Sequence, residues 1–342
     1  KVGFEHVSRD MVRDAVLYLA DHNTFDSAIR WLDEVAGRWD SRRGRVAAFM
    51  VRYMRAEDTP YARAMGEYIW TALAGRIFNP GCQADNVPIW VGDQGLKKSS
   101  AVAAMAPHRQ HFVEVNMNEA DDNTARRLRG RVIGELSELR GLNSREEEEI
   151  KAWVVRRYED FIPKYLEFAH QFPRRLIFIG TTNKDEFLAD PTGNRRWGPI
   201  RVGQVDLAGL VADREQLWAE GAVMWREKAA RLGVDEGIWW EDFDRLAKGQ
   251  HHGFMISDSW EDSVLDWMGV ADPMSGSKPG DAEFLTLKDI AYGALHMNEA
   301  ALKKSEQMRL AGVLVKIGRV RDEMWVGGRS QKVWVKYSPP LV

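Results

Sequence analysis

The spacing of apolar residues changes character near residue 87, and that change organises the reading of the chain. Before it the period is helical. Residues 7–20 place Met11, Ala15, Val16 and Leu19 three and four apart, and residues 25–35 repeat the pattern behind Asp26 or Ser27 as N-cap. Residues 46–54 and 62–78 follow, separated by Asp58-Thr59-Pro60. We read residues 1–80 as a helical packing domain without chemistry of its own. From residue 87 onward short apolar runs alternate with helical ones. Residues 87–91, 111–115, 131–136 and 175–180 read as strands, residues 122–129 as a short helix, and residues 144–168 as a long helical stretch interrupted by Pro163. Nearly all-apolar strands suit a parallel sheet buried on both faces. The alternation predicts an α/β three-layer core over 81–232, closed by a helical extension at 205–232.

The remainder separates into two parts. Residues 233–280 read as a helical segment ending in a linker rich in Pro, Ser and Gly (Pro273, Ser275, Gly276, Ser277, Pro279, Gly280). Residues 281–342 carry two helical patterns, 287–297 and 300–317, then two strand patterns around Gly327-Gly328. Helix, helix, hairpin is the outline of a winged helix. Residues 301–342 hold nine Lys or Arg against three Asp or Glu, a local excess that suits DNA phosphates, although a winged helix can equally be a protein–protein module.

The candidate chemistry sits where the period changes. The run Val87 to Val91 leads into Gly92-Asp93-Gln94-Gly95-Leu96-Lys97-Lys98-Ser99-Ser100, and a helix-forming stretch follows. Strand, Gly-rich turn, Lys-Ser and helix start is the order of a phosphate-binding P-loop. Its backbone N–H groups would cradle phosphates, Lys98 would reach the terminal phosphates of ATP, and the Ser99 hydroxyl would ligate Mg²⁺. Lys97 stands where the consensus has Gly, which asks a side chain to accept a glycine-like backbone angle. Such a site needs a carboxylate on a neighbouring strand for the metal and another group for the attacking water. Either Glu135 or Glu138 suits; we assign Glu135 to the metal and Glu138 to the water. The strand 177–180 ends in Thr181-Thr182-Asn183, at the edge where open α/β sheets bind ligands. Asn183 would hydrogen-bond the attacking water or the γ-phosphate, unless it merely caps a turn. Arg195 and Arg196 follow a Gly-Asn turn and suit an arginine finger reaching across a subunit boundary. Between the acidic and Asn strands, Lys151, Arg156, Arg157, Tyr158 and Lys164 suit phosphate neutralisation and base stacking, or pairing with Glu146 to Glu149 along one helix.

Composition narrows the class. A 44% hydrophobic and 29% charged chain of 342 residues has an ordinary core, and a net charge of -3 leaves nucleic-acid binding to local patches. The single Cys82 excludes a disulfide framework and suits a reducing cytosol. No apolar run reaches membrane-span length. Fourteen tryptophans are scattered and read as packing. His251-His252 has no ligand-spaced partner and reads as surface. The chain starts with Lys1, which we read as a fragment or processed product.

As a set, these pieces resemble the virulence-associated protein E family of phages, prophages and pathogenicity islands. The matching segments run in order from Asn79-Pro80-Gly81-Cys82 through the 92–100 loop, Glu135-Leu136-Ser137-Glu138-Leu139, Phe178 to Asn183, and Thr192 to Trp197, to Arg214-Glu215-Gln216-Leu217-Trp218. The resemblance implies a P-loop NTPase core like that of AAA+ and superfamily 3 helicases, using ATP and Mg²⁺. It also implies a ring, most simply a hexamer, on single-stranded or forked DNA in the cytoplasm of a bacterial host, with a fused or partner primase or polymerase. It puts Lys98 and Ser99 in the Walker A role, Glu135 and Glu138 near Walker B, Asn183 as sensor, and Arg195 and Arg196 as finger candidates. The stretch from 151 to 164 falls where those relatives carry a DNA-contacting element. Lys97 motivates a second reading, a nucleotide-binding but weakly hydrolysing assembly or loader module.

Overall fold

The run Val87–Val91 forms β1, and all five of its residues are buried because it has a strand on either side and a helical or apolar layer over each face. The computed structural model describes residues 7–115, 121–137, 144–162, 168–185, 187–188, 196–233, 241–247, 249–254, 259–272, 276–298, 302–326 and 328–336. The chain divides into two compact units, 1–255 and 256–342.

In the first unit β1 joins β2 (Phe112–Val115), β3 (Ile133–Ser137), β6 (Ile177–Thr182) and β7 (Trp197–Arg201) in one sheet of order β2-β3-β6-β1-β7. Every pairing is parallel. All carboxyl ends therefore fall on one edge. Side chains alternate between faces. Trp90, Ile133, Ile177 and Ile179 face a helical layer, while Val87, Ile89, Val91, Leu136 and Phe178 face a second apolar cluster.

The helical layer is built from α2 (Ser27–Gly37), the short α3 (Phe49–Arg52), α4 (Pro60–Phe78), α5 (Lys98–Met105) and α8 (Leu207–Leu232). Thr59 caps α4, with Pro60 at its first turn. Trp70 of α4 and Trp218 of α8 meet edge-on at 5.6 Å, and the Trp218 indole N–H donates to the Met105 carbonyl at 2.9 Å. Helices α2, α3 and α4 thus share a core with the sheet. The stretch 46–54, read as a helix from its spacing, contributes only the single turn of α3; the residues before it follow a glycine turn at Gly44.

The segment after β3 departs from its helical reading. It forms α7 (Ser144–Val154) and then an antiparallel hairpin, β4 (Tyr158–Phe161) with β5 (His170–Pro173). The spacing Tyr158, Asp160 outside and Glu159, Phe161 inside is a strand period that the neighbouring helix pattern masks. Arg174 fixes the switch. It is fully buried, it donates from Nε to Glu159 at 2.6 Å, and its Nη1 donates to the Trp153 and Val154 carbonyls at the end of α7 at 3.0 and 2.9 Å. α6 (Asp121–Leu128) precedes β3, and α9 (Glu241–Ala247) brings Phe243 against Tyr61 and Tyr68. His251, read as surface, is half-buried beside the Trp197 carbonyl at 2.7 Å.

One helix stands apart. α1 (Arg9–His22) is capped by Ser8 but has no buried residue.

In the second unit α10 (Ser259–Gly269), β8 (Phe284–Leu285), α11 (Leu287–Leu295), α12 (Lys304–Lys316), β9 (Arg319–Val326) and β10 (Arg329–Lys336) follow in order. β10 pairs antiparallel with both β9 and β8. Val264, Ile290, Leu310, Leu314 and Trp334 form its core. A capping box of Thr286 and Asp289 starts α11.

Candidate functional site

The carboxyl edge of the sheet brings the motif residues together. β1 ends at Val91, and Gly92 follows where a Cβ would come within 2.8 Å of the Val202 carbonyl oxygen, so the turn passes too close to the next segment for a side chain. Gly95 has φ +90°. Lys97 takes φ 67° and ψ 28°, the left-handed geometry a glycine would adopt without strain, and it does so as the N-cap of α5 with no side-chain cap bond. Asp93, Gln94, Gly95, Lys97, Ser99 and Ser100 remain exposed around this turn, and Leu96 is half-buried.

Lys98, the first residue of α5, turns back under the loop. Its Nζ donates to the Gly92 carbonyl at 2.5 Å, the Asp93 carbonyl at 2.8 Å and Asn183 Oδ1 at 2.8 Å. All three acceptors are neutral, and among the described residues no carboxylate stands within ion-pair distance of this ammonium. Burial pulls its pKa below the usual lysine value, opposed by the charges of Asp93 and Glu135.

Glu135 on β3 lies on the same face as α5. It is buried, and it accepts a hydrogen bond from the Thr181 hydroxyl at 2.6 Å. Burial pushes its carboxyl above the usual glutamate value and the nearby Glu114 charge adds to this; the Ser99 and Thr181 hydroxyls and Lys98 act against it. Glu114, the register partner of Glu135 on β2, accepts from the Ser137 hydroxyl at 2.9 Å. Sequence reasoning passed over Glu114, although an acid between Val113 and Val115 in an apolar strand was the available signal. Thr181 was read only as part of a polar strand end; its alternation with Ile177 and Ile179 is what aims it at Glu135.

The other expected residues are dispersed. Arg196 immediately precedes Trp197, which pairs with Val87, so it lies at the amino edge, a strand length from the loop. Lys151 is only 1% exposed and does not face solvent, which removes it as a phosphate contact in this conformation. Arg156, Arg157 and Tyr158 lie exposed at the start of the hairpin, with Arg157 Nε on the Gly81 carbonyl at 2.5 Å. The Arg214 guanidinium donates to the Ala104 and Ala106 carbonyls at the end of α5, both at 3.2 Å, so it braces that helix from the far side. Glu138, Lys164 and Arg195 lie outside the described residues.

A three-ligand group of His, Cys, Asp or Glu is absent among the described residues. The oxygen donors this edge could offer a divalent ion include the Ser99 hydroxyl and the Glu135 carboxylate. The described helices include none long and apolar enough to cross a membrane.

A family model for the virulence-associated protein E-like domain matches residues 32–250. The chain belongs to this family. The match takes in the loop, the Glu135 strand, the Asn183 strand and α8, and it ends before the second unit. Three apo structures of the NrS-1 C-terminal region, two of them titled with residues 305–718, superpose on the virulence-associated protein E-like chain with TM-scores of 0.51, 0.52 and 0.53 at 11 to 12% identity, covering 89% of it and 78% of the NrS-1 chain. At that identity the likeness is one of fold. No curated protein matches the chain.

Proposed function

We propose that the chain is an ATP-dependent motor of phage or mobile-element DNA replication, with a P-loop core of the kind found in superfamily 3 helicases. One observation carries the reading: a buried lysine at a helix start at the carboxyl edge of a parallel sheet, held among the described residues by neutral acceptors, with the buried Glu135 carboxylate on the neighbouring strand and near enough to influence its charge. Carbonyls that hold an ammonium in place are readily exchanged for phosphate oxygens. ATP with Mg²⁺ supplies the transferable phosphoryl group and its counter-charge. Lys98 binds the terminal phosphates, Ser99 and Glu135 hold the metal, and Asn183, released by Lys98, orients the attacking water. Glu138 is the further candidate for the water. Arg195 or Arg196 serves a neighbouring copy in a ring, which accords with Arg196 lying away from its own loop. The exposed hairpin start at Arg156, Arg157 and Tyr158 suits single-stranded DNA, and the basic stretch 301–342 of the second unit, whose elements run in the order of a winged helix, suits duplex or partner contacts. The test is steady-state ATP hydrolysis with and without single-stranded DNA. Wild type turns over and is stimulated by DNA, while Lys98→Ala is inactive; equal rates in both would remove the site.

The left-handed Lys97 favours a second reading, in which nucleotide is bound and slowly hydrolysed to hold an assembly together. Tight binding with negligible turnover, restored by Lys97→Gly, would select it.

A further inference from the structure

The sequence carries a run of arginines, Arg126-Arg127-Leu128-Arg129-Gly130-Arg131, that the nucleotide site does not use. It closes α6. Gly130 takes φ +74°, so the chain reverses there, and both Arg129 and Arg131 come to line an open groove of about 710 Å³. The groove lies at the amino edge of the sheet, along the residues that lead into β2, β3 and β6. Its walls come from the start of α2, the end of α6 and the β4–β5 hairpin.

The lining combines positive charge with aromatic surface. Four arginines, Arg129, Arg131, Arg174 and Arg175, stand against two carboxylates, Asp26 and Glu159. Arg175 pairs with Asp26 and Arg174 with Glu159, which accounts for both acids. Arg129 lies over the Phe172 ring at 4.3 Å, and Arg131 Nε donates to the Arg127 carbonyl at 3.1 Å. Among the described residues neither meets a carboxylate, so the groove keeps two positive charges without counter-ions. Phe161 and Phe172 stack at 4.7 Å, and Phe25 stands at the rim, 78% exposed. The next residue fixes that ring in place: Asp26 accepts from the Ala28 and Ile29 N–H groups as the cap of α2 and pairs with Arg175. His111 Nδ1, on the same lining, is enclosed without a hydrogen-bond partner among the described residues. A phosphate that carries a planar base meets both needs, because guanidinium groups bind phosphate oxygens and aromatic faces stack on bases. An acidic peptide would supply the charge alone, and an apolar helix the surface alone.

We infer that this groove holds a short run of single-stranded DNA, with phosphates on Arg129 and Arg131 and a base against Phe25. The strand has a path onward. Pro173 of the lining is the register partner of Tyr158, and Arg156, Arg157 and Tyr158 are exposed at that end of the hairpin. DNA as the polymer rests on the proposed function, whereas the pairing of free guanidinium groups with an exposed ring does not.

Fluorescence anisotropy of a labelled oligothymidylate on the full chain tests it, without nucleotide and with an ATP analogue and Mg²⁺. Arg129→Ala with Arg131→Ala should weaken binding about tenfold or more. It should also flatten the slope of log affinity against log salt by about 1.4, at about 0.7 for each lost phosphate contact. Phe25→Ala removes a ring and no charge, and should weaken binding about fivefold or more. Phe25 is mostly exposed, so that variant keeps its circular dichroism and decides the matter should the arginine variant unfold. Unchanged affinity and salt slope in the folded variants, or wild type that ignores the oligomer, would overturn the inference. So would displacement of the oligomer by polyglutamate or by thymidine monophosphate at equal concentration of residues, which would assign the groove to charge alone or to a free nucleotide. A chain that takes up the oligomer but not the ATP analogue keeps the groove and loses the nucleotide reading; one that takes up the analogue but not the oligomer does the reverse.

Discussion

Both edges of the five-stranded sheet bury a cation, and they do so for opposite ends. At the amino edge Arg174 is enclosed by Glu159 and by two carbonyls at the end of α7. Burial pulls its pKa down to about 10, which still leaves it charged at neutral pH. Its charge is matched by a carboxylate and its donors are spent on closing the hairpin against the core. At the carboxyl edge the acceptors of Lys98 among the described residues are neutral, and the nearby Glu135 carboxylate bonds the Thr181 hydroxyl instead. A buried cation bonded to a counter-ion is a structural tie; one bonded to neutral acceptors suits an incoming anion, which is the role proposed for Lys98.

The largest effect expected from this contrast is on stability at the amino edge. Glu159→Ala leaves Arg174 buried without its partner and should cost about 3–5 kcal/mol in denaturant unfolding. A loss below about 1 kcal/mol would mean that water reaches the guanidinium and that the tie is superficial.

Lys98→Ala should behave in the reverse way. ATP turnover should fall by about 10²–10³-fold or more, as when a preorganised donor to a developing charge is removed. Folding stability should hold or rise, because a desolvated ammonium without a counter-ion is a cost to the folded state. Unfolding at lower denaturant would place Lys98 among the structural ties.

Glu135 sharpens the comparison through pH. Its folded pKa is raised above the ordinary 4.5, so the folded chain holds this proton more tightly than the unfolded chain. The stabilising contribution is full below about pH 4.5 and is lost as pH rises through the raised folded value. Glu135→Gln should flatten that part of the stability–pH profile, leave the protein at least as stable at neutral pH, and remove Mg²⁺-dependent turnover. A profile that keeps its slope in the variant would assign the slope elsewhere.

The smallest effect concerns Lys97. Lys97→Gly relieves a left-handed residue and should stabilise the fold by about 1 kcal/mol, seen as a small shift in the unfolding midpoint. A destabilised variant would mean that the Lys97 side chain makes a contact that outweighs its backbone cost.

What the sequence made legible follows from period and local chemistry. The apolar runs at 87–91 and 175–180 announced buried parallel strands, and the Gly-rich turn before Lys98 announced the bend between β1 and α5. The convergence of Lys98, Asn183 and Glu135 was foreseen because parallel strands must share a carboxyl edge. The hairpin at 158–173 was missed because its alternation is only four residues long on each side and follows a strongly helical stretch. Lys151 was misread because a lone lysine on an amphipathic helix gives no sign of which face it takes. Glu114 escaped notice because register between β2 and β3 is a tertiary fact. The groove beneath the hairpin combines residues from positions 25 to 176, and no local pattern announces such a surface.

The most direct test of the central claim is an equilibrium titration of wild type and Lys98→Ala with a fluorescent ATP analogue, with and without Mg²⁺. The account predicts saturable, Mg²⁺-strengthened binding to wild type and loss of it in a Lys98→Ala protein whose circular dichroism is unchanged. Folded wild type that ignores the nucleotide, or a variant that binds equally well, would contradict it.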